Sequence, residues 1–164
     1  MKKIITVCLF LLLFTSFIWS QKSTEKCSDD NKFCHKAGEL NWSDKSDDVY
    51  SWKEAGEYCK KIGGRLPTIS ELRSIIKECP PTQTGGECKV ADQCLIYNDC
   101  RDAKCIGCIL ATDGKYSQLG DIGWFWSSST PSEDSFGVWT VRFDYGLVAY
   151  SRKNFDKRHV RCVK

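Results

Sequence analysis

The cysteine pattern constrains this chain more than any other feature of its sequence. Eleven cysteines occur in 164 residues, and ten of them follow position 26: Cys27, Cys34, Cys59, Cys79, Cys88, Cys94, Cys100, Cys105, Cys108 and Cys162. In a chain that leaves the cytoplasm, an even number of cysteines is typical of a disulfide framework. Each bridge would add about 2–4 kcal/mol to the free energy of unfolding.

The N-terminus has the three parts of a secretory signal peptide. Two lysines precede an uncharged apolar run from Ile4 to Trp19, and the small residue Ser20 follows it. The run is shorter than the ~20 residues that a membrane-spanning helix needs. We therefore predict a signal peptide over residues 1–20, cleaved after Ser20, and no membrane insertion of the rest. An uncleaved anchor is the alternative.

The charge balance argues against one class of partner. The formal net charge is +3 for the whole chain, and it falls to +1 once Lys2 and Lys3 of the signal are removed. A domain that binds nucleic acid is usually strongly basic, so we expect no nucleic-acid partner. We predict export to the periplasm, the cell surface or the medium, and no cofactor.

A short stretch after the first predicted helix defines a corner of the chain. Gly63 or Gly64 can adopt the positive φ that closes a helix, and Pro67 prevents the helix from continuing. Thr68 and Glu71 have the spacing of a capping box, in which the hydroxyl and the carboxylate satisfy each other's free backbone N–H groups. This stretch therefore predicts the end of one helix and the start of the next.

Two amphipathic helices flank that corner. The first runs from Ser51 to Lys61, and Ser51 and Glu54 form a second capping box at its start. The second continues from Glu71 to Lys77, and Cys79-Pro80-Pro81 ends it because proline supplies no N–H.

The segment 79–108 has a different composition from the rest. It holds six cysteines but few large apolar residues, so its order has to come from cross-links. The pair Cys105-Ile106-Gly107-Cys108 also allows a half zinc site or a redox dithiol. A zinc ribbon needs two such pairs, and a redox motif opens a helix in a different fold. We therefore predict structural disulfides within a loop excursion.

The last fifty residues predict short antiparallel strands. Val138 to Phe143 alternates, so odd- and even-numbered side chains point to opposite faces. Further strands are predicted at Leu147–Ser151 and His159–Val163, and Asp113-Gly114 predicts a hairpin turn. Helices followed by strands give the α+β class.

Several motifs follow one another in a specific order. They are Trp52…Ala55…Tyr58-Cys59, Gly64-Arg65-Leu66-Pro67-Thr68…Glu71-Leu72, Trp126-Ser127-Ser128-Ser129, Trp139…Val141…Phe143…Gly146 and Val160-Arg161-Cys162-Val163. Together they resemble the Lcl C-terminal domain family, named for the end module of a collagen-like bacterial adhesin. The cysteine-rich segment is similar to a cysteine-rich branch of that family.

The resemblance sets the predicted domain organisation. It implies one domain over residues 40–164, with the cysteine-rich loop 79–108 as an insertion. The polar residues 21–39 before it form an N-terminal arm, which is tied down only if Cys27 and Cys34 pair.

The resemblance also implies a fold and an activity. The family is similar to C-type lectins, with two helices beside a twisted antiparallel sheet and a disulfide-stapled long loop. It implies a bond between Cys59 and Cys162, which would contribute ~4.7 kcal/mol in the chain-entropy treatment. The founding member binds sulfated polysaccharides, so a secreted or surface binding module with an adhesin-like role is expected.

The last strands supply the candidate ligand-binding residues. Between Trp139 and Lys164 seven basic residues accompany two aspartates, a local excess of +5. The candidates are Arg142, Tyr145, Tyr150, Arg152, Lys153, Lys157 and Arg158. Arginine binds sulfate and carboxylate groups bidentately, and tyrosine offers a stacking face. The alternative for any one of them is a solvated strand or loop position, and Arg161 in the Val-Arg-Cys motif is a scaffold candidate.

Other activities have weaker sequence support. Without a Glu-Pro-Asn, Gln-Pro-Asp or Trp-Asn-Asp motif, calcium-dependent sugar binding is not expected, and we predict no metal. No catalytic residues are predicted, because the serines 127–129 lack a Gly-x-Ser-x-Gly elbow and we expect them to bond backbone. An enzyme related to formylglycine-generating enzymes would need a reactive pair among the loop cysteines. A structural subunit of a surface assembly is the other alternative, and the oligomeric state is open.

The tryptophans offer a second possible sugar contact. Five follow the signal, and four of these lie in the family's structural motifs. We expect those four to pack in the core rather than to stack on a ligand.

Overall fold

The computed structural model describes residues 25–164, so the predicted signal peptide at 1–20 lies outside the described residues. The elements in chain order are β1 (His35–Ala37), β2 (Leu40–Trp42), α1 (Trp52–Lys61), α2 (Ile69–Ser74), α3 (Tyr97–Cys100), a 3-10 helix (Ala103–Ile106), β3 (Trp124–Trp126), β4 (Gly137–Arg142) and β5 (Leu147–Arg152). These form two antiparallel sheets, β1-β2 and β3-β4-β5. The α+β class is confirmed. No helix within 25–164 is long and apolar enough to cross a membrane.

Both predicted capping boxes open their helices. Ser51 caps α1 with Glu54, and Thr68 caps α2 with Glu71, each with the reciprocal pair of hydrogen bonds. The corner between the helices uses Gly63, whose φ is +85°. The local sequence signals are therefore sufficient to position both helix starts.

The prediction that α2 extends to Lys77 was wrong, since the helix ends at Ser74. The backbone beyond it bonds to another segment instead of continuing the helix. Lys77 N donates to Tyr116 O at 3.0 Å, and Gln118 N donates to Ile75 O at 2.8 Å. These tertiary hydrogen bonds compete with the last helical turn and replace it.

The central strand β4 is buried on both faces. Val141 and Trp139 belong to a cluster with α2 and the cysteine-rich loop. Val138 points the other way and packs in a second cluster with Ala55 of α1 and with Trp126. The predicted alternation is present, but the sheet lies between two apolar clusters rather than on one.

Two other strand predictions were also wrong. The segment His159–Val163 forms only isolated bridges, because it pairs with several partners in turn: His159 with Phe125, and Val163 with Arg65 and Trp42. No strand flanks Asp113-Gly114, where a turn with Gly114 at φ +72° bonds to Ser117.

The predicted N-terminal arm takes part in the first sheet. β1 lies within residues 21–39 and pairs with β2 across the turn at Gly38, whose φ is +60°. A disulfide joins Cys27 to Cys34 and closes the polar loop before β1. The hairpin therefore crosses the boundary predicted at residue 40.

Every cysteine within 25–164 is in a disulfide. Cys59 of α1 is bonded to Cys162 near the C-terminus, which is the pair that the resemblance implies. The six cysteines of the loop pair among themselves in a nested order. Cys79–Cys108 encloses Cys88–Cys105, and the innermost bridge is Cys94–Cys100.

A buried arginine holds the cysteine-rich loop against α2. Arg73 is buried, with 5 % of its surface exposed. Its guanidinium donates to Thr82 O and Gln83 O, both at 2.9 Å, and to Val90 O. Burial lowers the pKa of Arg73. Hydrogen bonds from one charged group therefore fix two parts of a loop that has few apolar residues, one at Thr82 and Gln83 and the other at Val90.

We predict that Arg73→Met lowers the free energy of unfolding by about 3 kcal/mol or more, because three buried carbonyls lose their donor. The measurement is denaturant unfolding with the disulfides intact. The matched control is Arg101→Met, since Arg101 makes a cation–π contact with Tyr97 and should cost less than about 1 kcal/mol. Equal losses in the two variants would contradict this role for Arg73.

Candidate functional site

The structure separates the candidate residues along the β4–β5 hairpin. Arg142 pairs with Leu147 at one end, and Gly137 pairs with Arg152 at the other. Five residues of strand separate these ends by about 17 Å. The seven candidates therefore do not form one continuous surface.

The first group stacks around Trp124. The guanidinium carbons of Arg142 and Arg158 lie 5.6 Å and 4.9 Å from the Trp124 ring centroid. Arg142 also lies 4.6 Å from the ring of Tyr145, and Arg158 lies 5.9 Å from that of Trp126. These are cation–π distances, so the arginine faces are already occupied by aromatic rings.

The charges of this group are also paired internally. Arg142 donates bidentately to Asp144, with Nη2 at 2.7 Å from Oδ2, and Arg158 lies 3.2 Å from Asp156. Arg161, further along, is buried and donates to both carboxylate oxygens of Asp121. These three arginines are therefore charge-paired, and the local excess of positive charge lies at other residues of the segment.

Tyr150 lies on the opposite face of the sheet. Its hydroxyl donates to Asp134, and its ring meets Tyr97 edge-on at 5.6 Å between centroids. The hydrogen bond to Asp134, together with burial, raises the pKa of Tyr150. Tyr150 therefore does not share a surface with the arginine stack.

The second group lies where β5 ends, and we call it the basic end: Arg152, Lys153 and Lys157. None of the three has a carboxylate within ion-pair distance among residues 25–164. Arg152 and Lys157 are exposed, and Lys153 is half-buried. Unlike Arg142 and Arg158 around Trp124, the residues of the basic end keep positive charge available at the surface.

Lys153 connects the basic end to helix α1. Its Nζ lies 4.4 Å from the centroid of the Trp52 ring and donates to Ser135 O at 2.8 Å. Burial lowers the pKa of Lys153, and Asp134 opposes this effect. Hydrogen bonds from Ser51 hold the pKa of Glu54 below its usual value, and the charge of Lys157 adds to that effect. Lys153 and Lys157 are therefore both close to the first turn of α1.

A groove of about 450 Å³ runs beside Trp52 on the outer side of α1. Its lining residues are Trp52, Lys53, Gly56, Glu57, Lys60, Arg65, Leu66 and Ser128. Trp52 is half-buried, and its indole Nε1 donates to Ser127 O at 2.8 Å, which fixes the ring. The groove is large enough for a small ligand or a short stretch of polymer.

Sequence reasoning missed this groove. Lys53 and Lys60 are seven residues apart on α1, and Gly56 lies between them on the same helical face. From the sequence that face is expected to face solvent, and only the folded structure brings it next to Leu66 and Ser128. The sequence feature that could have indicated this groove is Gly56 within α1, because a glycine inside a helix lowers its stability by about 1 kcal/mol relative to alanine.

The serines 127–129 bond mainly to the scaffold, as predicted. Ser127 donates through its hydroxyl to Trp139 O at 2.6 Å, and Ser128 donates to Pro67 O at 3.3 Å.

Cys105 and Cys108 are bonded to different partners, so the Cys-x-x-Cys pair forms neither a bond of its own nor half of a zinc site.

We predict that Gly56→Ala raises the free energy of unfolding by about 0.5–1 kcal/mol. A Cβ at Gly56 would meet no atom within 4 Å, so the gain in helix propensity has no steric cost. The measurement is chemical denaturation of the oxidised protein. The control is Gly86→Ala, whose Cβ would come 2.2 Å from Pro80 O and should destabilise. A loss of stability in Gly56→Ala would show that the glycine is required by the fold.

Comparison with known proteins identifies the family. The chain matches the family described as Lcl C-terminal domain over residues 14–164. No curated protein matches the chain, and no solved structure matches it. The match includes the whole described domain together with the arm and the loop. The protein therefore belongs to the Lcl C-terminal domain family.

Proposed function

We propose that this protein is an extracellular binding module that recognises an anionic polysaccharide through the basic end and the groove beside Trp52. The observation that carries the proposal is the contact between Lys153 and the ring of Trp52, which joins the two features into one surface. In this proposal the domain is C-type-lectin-like and non-catalytic, and it is exported by its N-terminal signal.

The chemistry of the surface suits a charged sugar polymer. Lys60 lines the groove without a carboxylate partner in the part of the chain that the structure describes, while Lys53 and Arg65 pair with Glu57 and Glu71. Lys153 of the basic end contacts the Trp52 ring. Two exposed aromatic side chains, Phe136 at 65 % and Phe155 at 82 %, flank the basic end. Lysine and arginine bind sulfate and carboxylate groups, while aromatic rings pack against sugar faces.

Two general features support an extracellular role. Five disulfides within residues 25–164 are typical of proteins outside the reducing cytoplasm. Membership of the Lcl C-terminal domain family fits a small extracellular module. Neither feature specifies the ligand, because fold does not determine function. The ligand class therefore rests on the surface itself.

The test is retention of the mature protein on immobilised heparin and on dextran, an uncharged polysaccharide, across a salt series. We expect retention on heparin alone, with elution by rising salt because exposed charges are screened. The triple variant Arg152→Ala, Lys153→Ala, Lys157→Ala should elute at clearly lower salt. Gly56→Leu should also weaken retention without any change of charge, because its side chain would fill the groove.

The charge-matched control removes three exposed lysines from other elements: Lys36→Ala, Lys89→Ala, Lys115→Ala. It should elute close to the parent protein. If this control weakens retention as much as the triple variant, binding depends on net charge and not on this surface. If the parent is not retained at low salt, the proposal fails, and a protein-interaction role in a surface assembly becomes the better hypothesis.

A further inference from the structure

The bridge between Cys27 and Cys34 differs from the other four disulfides in its exposure. Cys34 is exposed and Cys27 is half-buried, whereas each of the other bridges within 25–164 has at least one buried cysteine. Its loop is short, with a sequence separation of 7. A solution reductant would therefore reach this bridge before those in the core.

Two further metal-ligand side chains lie against this bridge. The ligand atoms of Cys27, Cys34, His35 and Asp44 all lie within 4.8 Å of one another. The His35 Nε2 atom is 2.7 Å from Asp44 Oδ1, and Asp44 Oδ2 accepts a hydrogen bond from Cys27 N at 2.9 Å. The β1-β2 hairpin, in which His35 pairs with Trp42, brings Asp44 back beside His35 and the bridge.

The four ligand atoms fit the requirements of a tetrahedral zinc ion. Bond lengths of ~2.3 Å to sulfur and ~2.0 Å to nitrogen or oxygen place tetrahedral ligands about 3.3–3.8 Å apart. The observed cluster is already compact enough, so small side-chain movements would suffice after the sulfur–sulfur bond opens. Thiolate sulfur, imidazole nitrogen and carboxylate oxygen are each zinc ligands in proteins.

The charges around the cluster are also compatible with this site. Two thiolates and one carboxylate would leave a net charge of −1 once Zn²⁺ is bound. Lys26 and Lys45 line the same cavity as His35 and Asp44, and Lys45 would offset that charge. Asp47 lies there too, but Lys26 pairs with it at 3.3 Å.

We propose that reduction of the Cys27–Cys34 bridge converts the N-terminal arm into a Zn²⁺ site with Cys27, Cys34, His35 and Asp44 as ligands. Either the disulfide or the bound metal ion then closes the same loop between Cys27 and Cys34. This site is independent of the polysaccharide surface.

The conversion has a simple balance of electrons and protons. A dithiol supplies two electrons and two protons, so the disulfide becomes two thiols while the dithiol becomes a cyclic disulfide. Zn²⁺ then binds as both thiols lose their protons, and two H⁺ are released.

The experiment uses the whole mature protein and Co²⁺ as a spectroscopic substitute for Zn²⁺. The protein is treated with limiting dithiothreitol, freed of reductant without air, and its free thiols are mapped by alkylation and mass spectrometry. We expect alkylation at Cys27 and Cys34 alone. One Co²⁺ per chain should then produce a sulfur-to-cobalt charge-transfer band, which Zn²⁺ removes by displacement and which the oxidised protein lacks.

Variants distinguish the proposed ligands from their neighbours. His35→Ala should weaken Co²⁺ binding about tenfold or more, whereas Asp47→Ala should bind as the parent does, although both side chains line one cavity. The double variant Cys27→Ser, Cys34→Ser keeps the four core bridges and should give no charge-transfer band. A band of normal strength in that variant would overturn the assignment, because the sulfur ligands would come from elsewhere.

Proteolysis gives a second readout that does not depend on cobalt. Lys32 lies within the loop closed by Cys27 and Cys34, so trypsin should cut there faster after reduction. Zn²⁺ should restore the slow cleavage of the reduced parent but not of His35→Ala. If the two cysteines alone are reduced and neither the band nor the protection appears, the proposal is wrong.

Discussion

The disulfide between Cys59 and Cys162 is the constraint on which the arrangement of the domain depends. It closes a separation of 103 residues, so it removes more unfolded-state entropy than a short-range bridge can. Both cysteines are fully buried in the cluster that joins α1 to the sheet. The residue after the bridge, Val163, forms bridges with Trp42 and with Arg65. One covalent bond thus holds α1, the first hairpin and the corner before α2 in a fixed relation to β3, β4 and β5.

The features that could be predicted from the sequence are those that local chemistry decides. Ser51 and Thr68 begin the helices because each has its capping partner three residues later. The end of α2 could not be predicted, because Lys77 N bonds to Tyr116 O, a partner 39 positions away that no local pattern indicates. The segment His159–Val163 alternates like a strand, yet its hydrogen bonds go to different neighbours in turn. Non-local hydrogen bonds, rather than propensity, set these boundaries.

The candidate site was only partly predictable for a related reason. Counting charges along the last strands placed Lys153 in a basic region but treated Arg142 and Arg158 as free. Their carboxylate partners and their aromatic neighbours become visible only when the chain is folded. The groove beside Trp52 combines the outer face of α1 with residues from the corner and from Ser128. Such a surface has no contiguous sequence signature, because three separate segments contribute to it.

If this surface binds a polysaccharide as we propose, its rigidity determines which forces produce the affinity. The indole of Trp52 is fixed by its hydrogen bond to Ser127 O, and Ser127 itself is fully buried. A preformed site loses little conformational entropy on binding, so less of the interaction energy is spent on ordering the protein. The long side chains of Lys53, Lys60 and Arg152 are exposed, so their contacts with a ligand would be open to solvent and screened by salt. Affinity on this surface should therefore come mainly from many weak, salt-sensitive contacts distributed along a polymer, with Trp52 supplying the one rigid, oriented contact.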